Sequence, residues 1–171
     1  MKPTDYNMKK TFVYLGFGSN LGNRVENIKQ AIQMLIEEDK LMLTCLSSFY
    51  HNPPLGGLTQ PHFINAVGLF VTNFSPFELL ERIHLIESKL GRRKVRKHWA
   101  ARPIDIDILI YGSIKIDCDD LVIPHKEIKN RSFVLLPLLD IKKDITIPGL
   151  GKASDLVKFL KLDDCKKIVN I

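Results

Sequence analysis

Along the chain, short apolar runs rich in β-branched and aromatic residues take turns with segments whose apolar residues recur at helical spacing. Thr11 to Phe17 (T-F-V-Y-L-G-F) predicts a first strand, and Gly18 to Gly22 a tight turn. A helix follows, with Asn23 as N-cap, Glu26 three residues on, and an apolar face of Val25, Ile28, Ala31, Ile32, Leu35 and Ile36. Leu41 to Tyr50 predicts a second strand. Asn52-Pro53-Pro54-Leu55-Gly56-Gly57 has to be a loop, because two prolines remove amide donors and fix φ. Phe63 to Thr72 predicts a third strand. Ser75-Pro76-Phe77-Glu78 is a helix start with Ser as N-cap, Pro at N1 and Glu at N3, and Leu79, Leu80, Ile83, Ile86 and Leu90 carry that helix to Gly91. After a basic segment, Ile104 to Tyr111 predicts a fourth strand.

The resulting order, β-α-β-β-α-β, implies an α+β fold with a ferredoxin-like core: an antiparallel sheet with helices packed on one face. Beyond it, Ile114 to Ile123 suggests a C-terminal hairpin, Ser132 to Leu139 a helix ending in the core, and the tail from Gly151 one amphipathic helix. No internal repeat is visible. The expectation is a single domain over residues 1–171, with 1–10 as a loose N-terminal extension.

Composition narrows the class. The 171 residues are 45% hydrophobic and 26% charged, ordinary for a globular domain able to bury a core. The three cysteines, Cys45, Cys118 and Cys165, are far apart and form no C-x-x-C, which argues against a zinc ribbon or a disulfide framework. Met1 to Lys10 lacks the apolar core of a signal peptide, and no apolar run approaches membrane-spanning length. A cytoplasmic protein without membrane association is expected.

The net charge is +6, from 25 Lys+Arg against 19 Asp+Glu. Arg92, Arg93, Lys94, Arg96, Lys97 and Arg102 lie in one acid-free segment and account for the whole excess. So local a field points to an anionic ligand there.

Asp105 and Asp107 are the sharpest chemical signal. Residues two apart in a strand share a face, so the carboxylates stand side by side while Ile104, Ile106 and Ile108 point into the core. Adjacent like charges call for a neutralising partner, and a divalent cation with oxygen preference serves well. A strand with one solvated face generates D-x-D by alternation alone, so the flanking residues decide. They are Arg92, Lys94, Arg96, Lys97, His98 and Arg102, and guanidinium forks match phosphate oxygens. Acid-bound metals beside basic groups are what phosphoryl-type transfer requires. Trp99, the only tryptophan, argues mildly against a merely solvated basic loop.

Gly16 to Gly22 has the wrong spacing for a dinucleotide fingerprint and no G-K-[ST] of a P-loop. Phe63 and Asn65 share a strand face; with Phe133 they offer stacking surfaces and an amide edge to a planar heterocycle, although each alone is an ordinary core residue. His125 alone is an ordinary loop histidine, and His84 beside Glu87 fits a helix-surface pair.

Taken together these residues resemble the 6-hydroxymethyl-7,8-dihydropterin pyrophosphokinase family of folate biosynthesis. The matching stretches include Gly18-Ser19-Asn20-Leu21-Gly22, Pro53-Pro54-Leu55-Gly56, Phe63-Ile64-Asn65, and Trp99-Ala100-Ala101-Arg102-Pro103-Ile104-Asp105-Ile106-Asp107. Pro124-His125 and Lys129-Asn130-Arg131-Ser132-Phe133 complete them, in family order from about residue 12 to about residue 140. The resemblance implies transfer of pyrophosphate from ATP to the pterin hydroxymethyl oxygen, which attacks the β-phosphorus in line and releases AMP. It implies two Mg2+ ions on Asp105 and Asp107, and Arg92 and Arg102 as catalytic phosphate contacts in a mobile loop that Trp99 helps to close. His84, Glu87, Ile108, His125 and Lys126 would lie along the nucleotide. Phe63 and Phe133 would sandwich the pterin, with Asn52, Pro53, Leu55 and Asn65 reading its edge. No nucleic acid and no membrane is expected as a partner; transient contact with other folate-pathway enzymes is left open by the sequence.

Several positions depart from the family pattern. Ala100-Ala101 replaces a common Gly-Pro, Lys94 a frequent arginine, His84 and Lys126 frequent Gln and Tyr, and Phe63 a frequent Tyr. Two other classes compete with the enzyme reading. The strand order and basic segment are shared with RNA-recognition modules, against which stand the missing aromatic RNP strands and the paired aspartates. A metabolite-sensing domain of the same topology would bind pterin or nucleotide without releasing AMP.

Overall fold

The structure, a computed structural model, describes residues 10–54, 56, 59–92 and 100–168. In chain order the elements begin β1 (Thr11–Ser19), α1 (Arg24–Ile36), β2 (Leu41–Leu46), β3 (Tyr50–Asn52), β4 (Phe63–Thr72), α2 (Pro76–Lys89) and β5 (Asp105–Tyr111). They continue with β6 (Ile116–Asp117), β7 (Val122–Ile123), α3 (Ser132–Ile141), β8 (Thr146–Ile147), β9 (Gly151–Lys152), α4 (Ala153–Leu156) and β10 (Lys166–Lys167). The fold is α+β. A six-stranded antiparallel sheet runs β10-β3-β4-β1-β5, with β2 also paired to β4.

Both long helices start where their capping residues demand. The Asn23 side chain accepts the Glu26 N–H at the head of α1. At the head of α2 the Ser75 hydroxyl accepts the Glu78 N–H at 3.3 Å, and the Glu78 carboxylate accepts the Ser75 N–H at 2.7 Å. Helix α1 buries Ile28, Ala31, Ile32 and Leu35, but Ile36 is exposed, unlike the expectation. At 3.6 residues per turn Ile36 sits roughly 80° round the helix from Ile28, at the margin of the apolar stripe.

The expected single strand from Leu41 to Tyr50 is two strands. β2 and β3 both pair with β4, but the register slips between Leu43 and Cys45 and again between Leu46 and Tyr50. At the second slip the Ser47 hydroxyl accepts the Val67 N–H at 2.9 Å, in place of a main-chain carbonyl. The hydroxyl lets the edge bend without orphaning an amide.

Both faces of the sheet are covered, where helices on one face were expected. Val13, Leu15, Phe17, Ile104, Ile106 and Ile108 pack with α1 and α2. On the other face Val67, Leu109 and Ile110 pack with Val134, Leu135 and Leu138 of α3. By alternation Leu109 shares this second face with Asp105 and Asp107, and a register shift where β5 meets Tyr14 and Leu15 of β1 puts Ile110 there as well, so the strand carries apolar side chains on both sides and needs two layers. The tail also differs from the expected helix: β9 hairpins with β8, α4 has four residues, and β10 joins the sheet edge at β3. Among the described residues no helix is long and apolar enough to cross a membrane.

Candidate active site

Antiparallel pairing puts Asp105 opposite Gly18 and Asp107 opposite Gly16. The two carboxylates share the face away from α1 and α2, anchored by the buried Ile104, Ile106 and Ile108 between and beside them. Glycine at position 18 keeps this face open: a Cβ there would stand 3.0 Å from Asn65 Oδ1.

Three arginines converge on the pair. Helix α2 ends in a left-handed Gly91 (φ +87), with Gly91 N–H donating to Ser88 O and Arg92 N–H to Glu87 O at 2.9 Å. That cap folds Arg92 back over its own helix. Its guanidinium contacts Glu87 and lies 2.8 Å from Asp105 Oδ1. Arg102 Nη1 donates to Asp105 Oδ2 at 2.8 Å. Arg131 Nη1 lies 3.4 Å from Asp107 Oδ2, its guanidinium carbon 5.8 Å from the centre of the Phe133 ring, and its buried Nε has no partner.

The turn from Gly18 to Gly22 holds Arg102 in place. Asn20 Oδ1 accepts the Arg102 N–H at 2.7 Å, and Asn20 N–H donates to Arg102 O at 3.1 Å. The Asn20 amide also reaches Gln60 and Pro61, and Asn27 donates to Pro103 O. One buried asparagine thus joins three chain segments at the mouth of the site.

His125 Nε2 is 3.7 Å from Asp107 Oδ2, and its Nδ1 accepts the Glu127 N–H at 3.1 Å. That acceptor role leaves the ring proton on Nε2, facing the carboxylate. Burial, with Arg131 nearby, pushes the His125 pKa down to about 4, so the ring is neutral. Burial pushes Glu87 up to about 7, against the pull of Arg92, while its carboxylate accepts the Ile106 N–H at 2.8 Å. Burial and the neighbouring Asp105 raise Asp107 as well.

Two pockets open on either side of the aspartates. Asn52, Phe63, Asn65, Phe133, Arg102 and Arg131 line the first, a cavity of about 110 Å³. His84, Glu87, Arg92, Ile108, His125 and Lys126 line the second, of about 260 Å³. Asp105 and Asp107 border both. Arg102, expected along the nucleotide, borders the first pocket and reaches the other only through Asp105. Pro53 does not line the first pocket; its carbonyl accepts from the Asn52 amide, and Pro54 faces the cavity. The Asn52 side chain also accepts from Asn65. Leu55 and Trp99 lie outside the described residues, as does the rest of the basic segment from Arg93 to His98.

Sequence reasoning missed Asn20 and Gln60 as supports, Arg131 beside Asp107, and Asp119 and Asp120 on the second pocket. Arg131 was legible only as part of a motif, since no spacing rule brings residue 131 to strand β5.

Carboxylates are hard, acceptor-only ligands suited to magnesium. Among the described residues no group of three or more His, Cys, Asp or Glu is placed to hold a metal alone. A cation on Asp105 and Asp107 would therefore complete its shell with water and phosphate oxygens, as magnesium does in phosphate sites.

Residues 14–143 match the family model described as 7,8-dihydro-6-hydroxymethylpterin-pyrophosphokinase (HPPK). The chain is 39% identical over 145 residues to the 2-amino-4-hydroxy-6-hydroxymethyldihydropteridine pyrophosphokinase of Haemophilus influenzae, covering 85% of this chain and 90% of that protein. It is 41% identical over 129 residues to a folate synthesis bifunctional protein of Arabidopsis thaliana, covering 75% of this chain and 26% of that one. The crystal structure of wild-type Plasmodium falciparum HPPK-DHPS shares the fold, with a TM-score of 0.75 at 15% identity over 98% of this chain and 50% of that chain. The chain thus spans about half the length of that solved structure. With three quarters of its length matched by the family model and near-complete coverage of a relative at 39% identity, the chain belongs to the 7,8-dihydro-6-hydroxymethylpterin-pyrophosphokinase family.

Proposed function

We propose that the two pockets divide the two substrates of a single transfer, with Asp105 and Asp107 on their common wall marking where the group crosses. The reaction is that of the family: pyrophosphate passes from ATP to 6-hydroxymethyl-7,8-dihydropterin in folate biosynthesis, and AMP is released. The observation that carries the residue assignment is the shared wall, because in-line transfer needs both substrates to meet at one charged border.

In this reading the first pocket takes the pterin between the faces of Phe63 and Phe133, while Asn52 and Asn65 present amide groups to its edge. Pro54 lines the same pocket from the loop after Asn52. The second pocket takes ATP, with Ile108 as apolar floor and His84, His125 and Lys126 along its side. Two magnesium ions held by Asp105 and Asp107 would supply charge neutralisation on the phosphates. Arg92 and Arg102 neutralise Asp105 in the structure, and both guanidiniums turn to phosphate oxygens when nucleotide arrives. Glu87 positions Arg92 and the Ile106 amide from a buried site. Neutral His125 holds its Nε2 proton toward Asp107 as an oriented donor.

The strand order around β1 and β4 supports reading the core as ferredoxin-like βαββαβ. The RNA-binding alternative draws no support from the relatives. Calorimetric titration of single variants tests the division of the pockets. Phe133→Ala should weaken pterin binding about tenfold or more and leave binding of a non-hydrolysable MgATP analogue unchanged. Loss of nucleotide binding with pterin binding intact would reverse the assignment.

A further inference from the structure

Outside both pockets, four segments bring cationic and titratable side chains together on the other face of the β3–β4 pair. Asn52, Phe63 and Asn65 face the first pocket, so His51 and its partner Ile64 face away from it. Lys166 of β10 is the direct cross-strand partner of His51, which sets their side chains side by side. His62 precedes Ile64 by two residues, and its ring lies 4.7 Å from that of His51, with planes inclined by 38°. Arg24, the first residue of α1, donates from Nη1 to the His62 carbonyl at 2.7 Å.

Among the described residues no acid balances this cluster. After burial, the groups acting on His51 are His62, Arg24 and Lys166, and all of them lower its pKa. Among the described residues none of the four forms an ion pair with a carboxylate. A guanidinium, an ammonium and two imidazoles supply donors from several directions, which suits a tetrahedral oxyanion better than a planar ligand.

We propose that Arg24, His51, His62 and Lys166 form an anion site for a phosphate-type dianion, separate from the two substrate pockets. Protonation of the two neighbouring imidazoles adds two charges to the two already present, and the dianion relieves their mutual repulsion. Binding is therefore linked to protonation of the rings, and is strongest where the rings carry protons while the anion keeps its second charge. His51 and His62 directly precede Asn52 and Phe63, both in the first pocket, so an occupied site ties together the two ends of the loop between them.

The test is an NMR titration of the histidine ring signals of the full chain, without ATP, pterin or metal. It is run in chloride, inorganic phosphate and pyrophosphate at matched ionic strength. The site predicts that the His51 midpoint rises by about one unit in phosphate or pyrophosphate, equivalent to tenfold preference for the protonated ring. The larger of the two shifts identifies which anion fits. The Arg24→Gln/Lys166→Gln double variant, shown to be folded by circular dichroism, should lose the shift. Equal midpoints in all three salts, or an undiminished shift in the double variant, would overturn the site.

Discussion

At the scale of single residues, Asp105 carries more of the site than any other group. It takes two arginines on its two oxygens and borders both pockets, yet its side chain stays partly exposed. Asp105→Ala should therefore abolish AMP release while the melting temperature and circular dichroism stay close to those of the parent, because no core contact is lost. Full turnover in a folded variant would remove the metal role. Two buried groups set opposing pH dependences. Glu87 is raised to about 7, so below its ordinary value it favours the fold, and that contribution is lost as pH rises toward 7. His125 is lowered to about 4, so its contribution is present above the ordinary histidine value and is lost as pH falls toward 4. Each amounts to about 3 kcal/mol, and the two slopes oppose one another between roughly pH 4.5 and 6.5. In metal-free buffer, where the raised Asp107 adds to the Glu87 slope, urea unfolding of Glu87→Gln should show a smaller loss of stability with rising pH than the parent across that window. His125→Asn should show a steeper loss with rising pH than the parent. Identical profiles for both variants would contradict these environments.

At the scale of elements, the site depends on how α2 ends and where β5 begins. The Gly91 cap brings Arg92 to Glu87 and Asp105, so strain there reaches the chemistry. Gly91→Ala should cost about 1–2 kcal/mol for the left-handed backbone and also lower turnover. Ser75→Ala, at the other end of the same helix, should cost about 1 kcal/mol and leave turnover unchanged. Equal losses of turnover in both would mean that helix stability alone, and not the position of Arg92, is at stake; thermal melts with initial rates separate the two. These caps were legible in the sequence, because Ser-Pro-Phe-Glu and a terminal glycine act through neighbours on the chain. The break in the strand from Leu41 was not legible. It depends on the Ser47 hydroxyl meeting the Val67 amide, a pairing twenty residues apart.

At the scale of the whole molecule, the same contrast holds. The aspartate pair, the aromatic residues and the basic segment could be read directly from residue type and strand alternation. The second layer on the sheet could not, because it depends on α3 packing back onto the sheet and on a register shift between β1 and β5 that adds Ile110 to it. Nor could Arg131 and Asn20 be assigned by spacing, since their partners come from other segments. Two pockets meet at Asp105 and Asp107, and the proposal is that pyrophosphate crosses there. The most direct test is AMP formation from ATP, measured with and without 6-hydroxymethyl-7,8-dihydropterin and with and without magnesium. The account predicts AMP only when pterin and magnesium are both present. AMP released without pterin, or none from a folded sample given both, would contradict it.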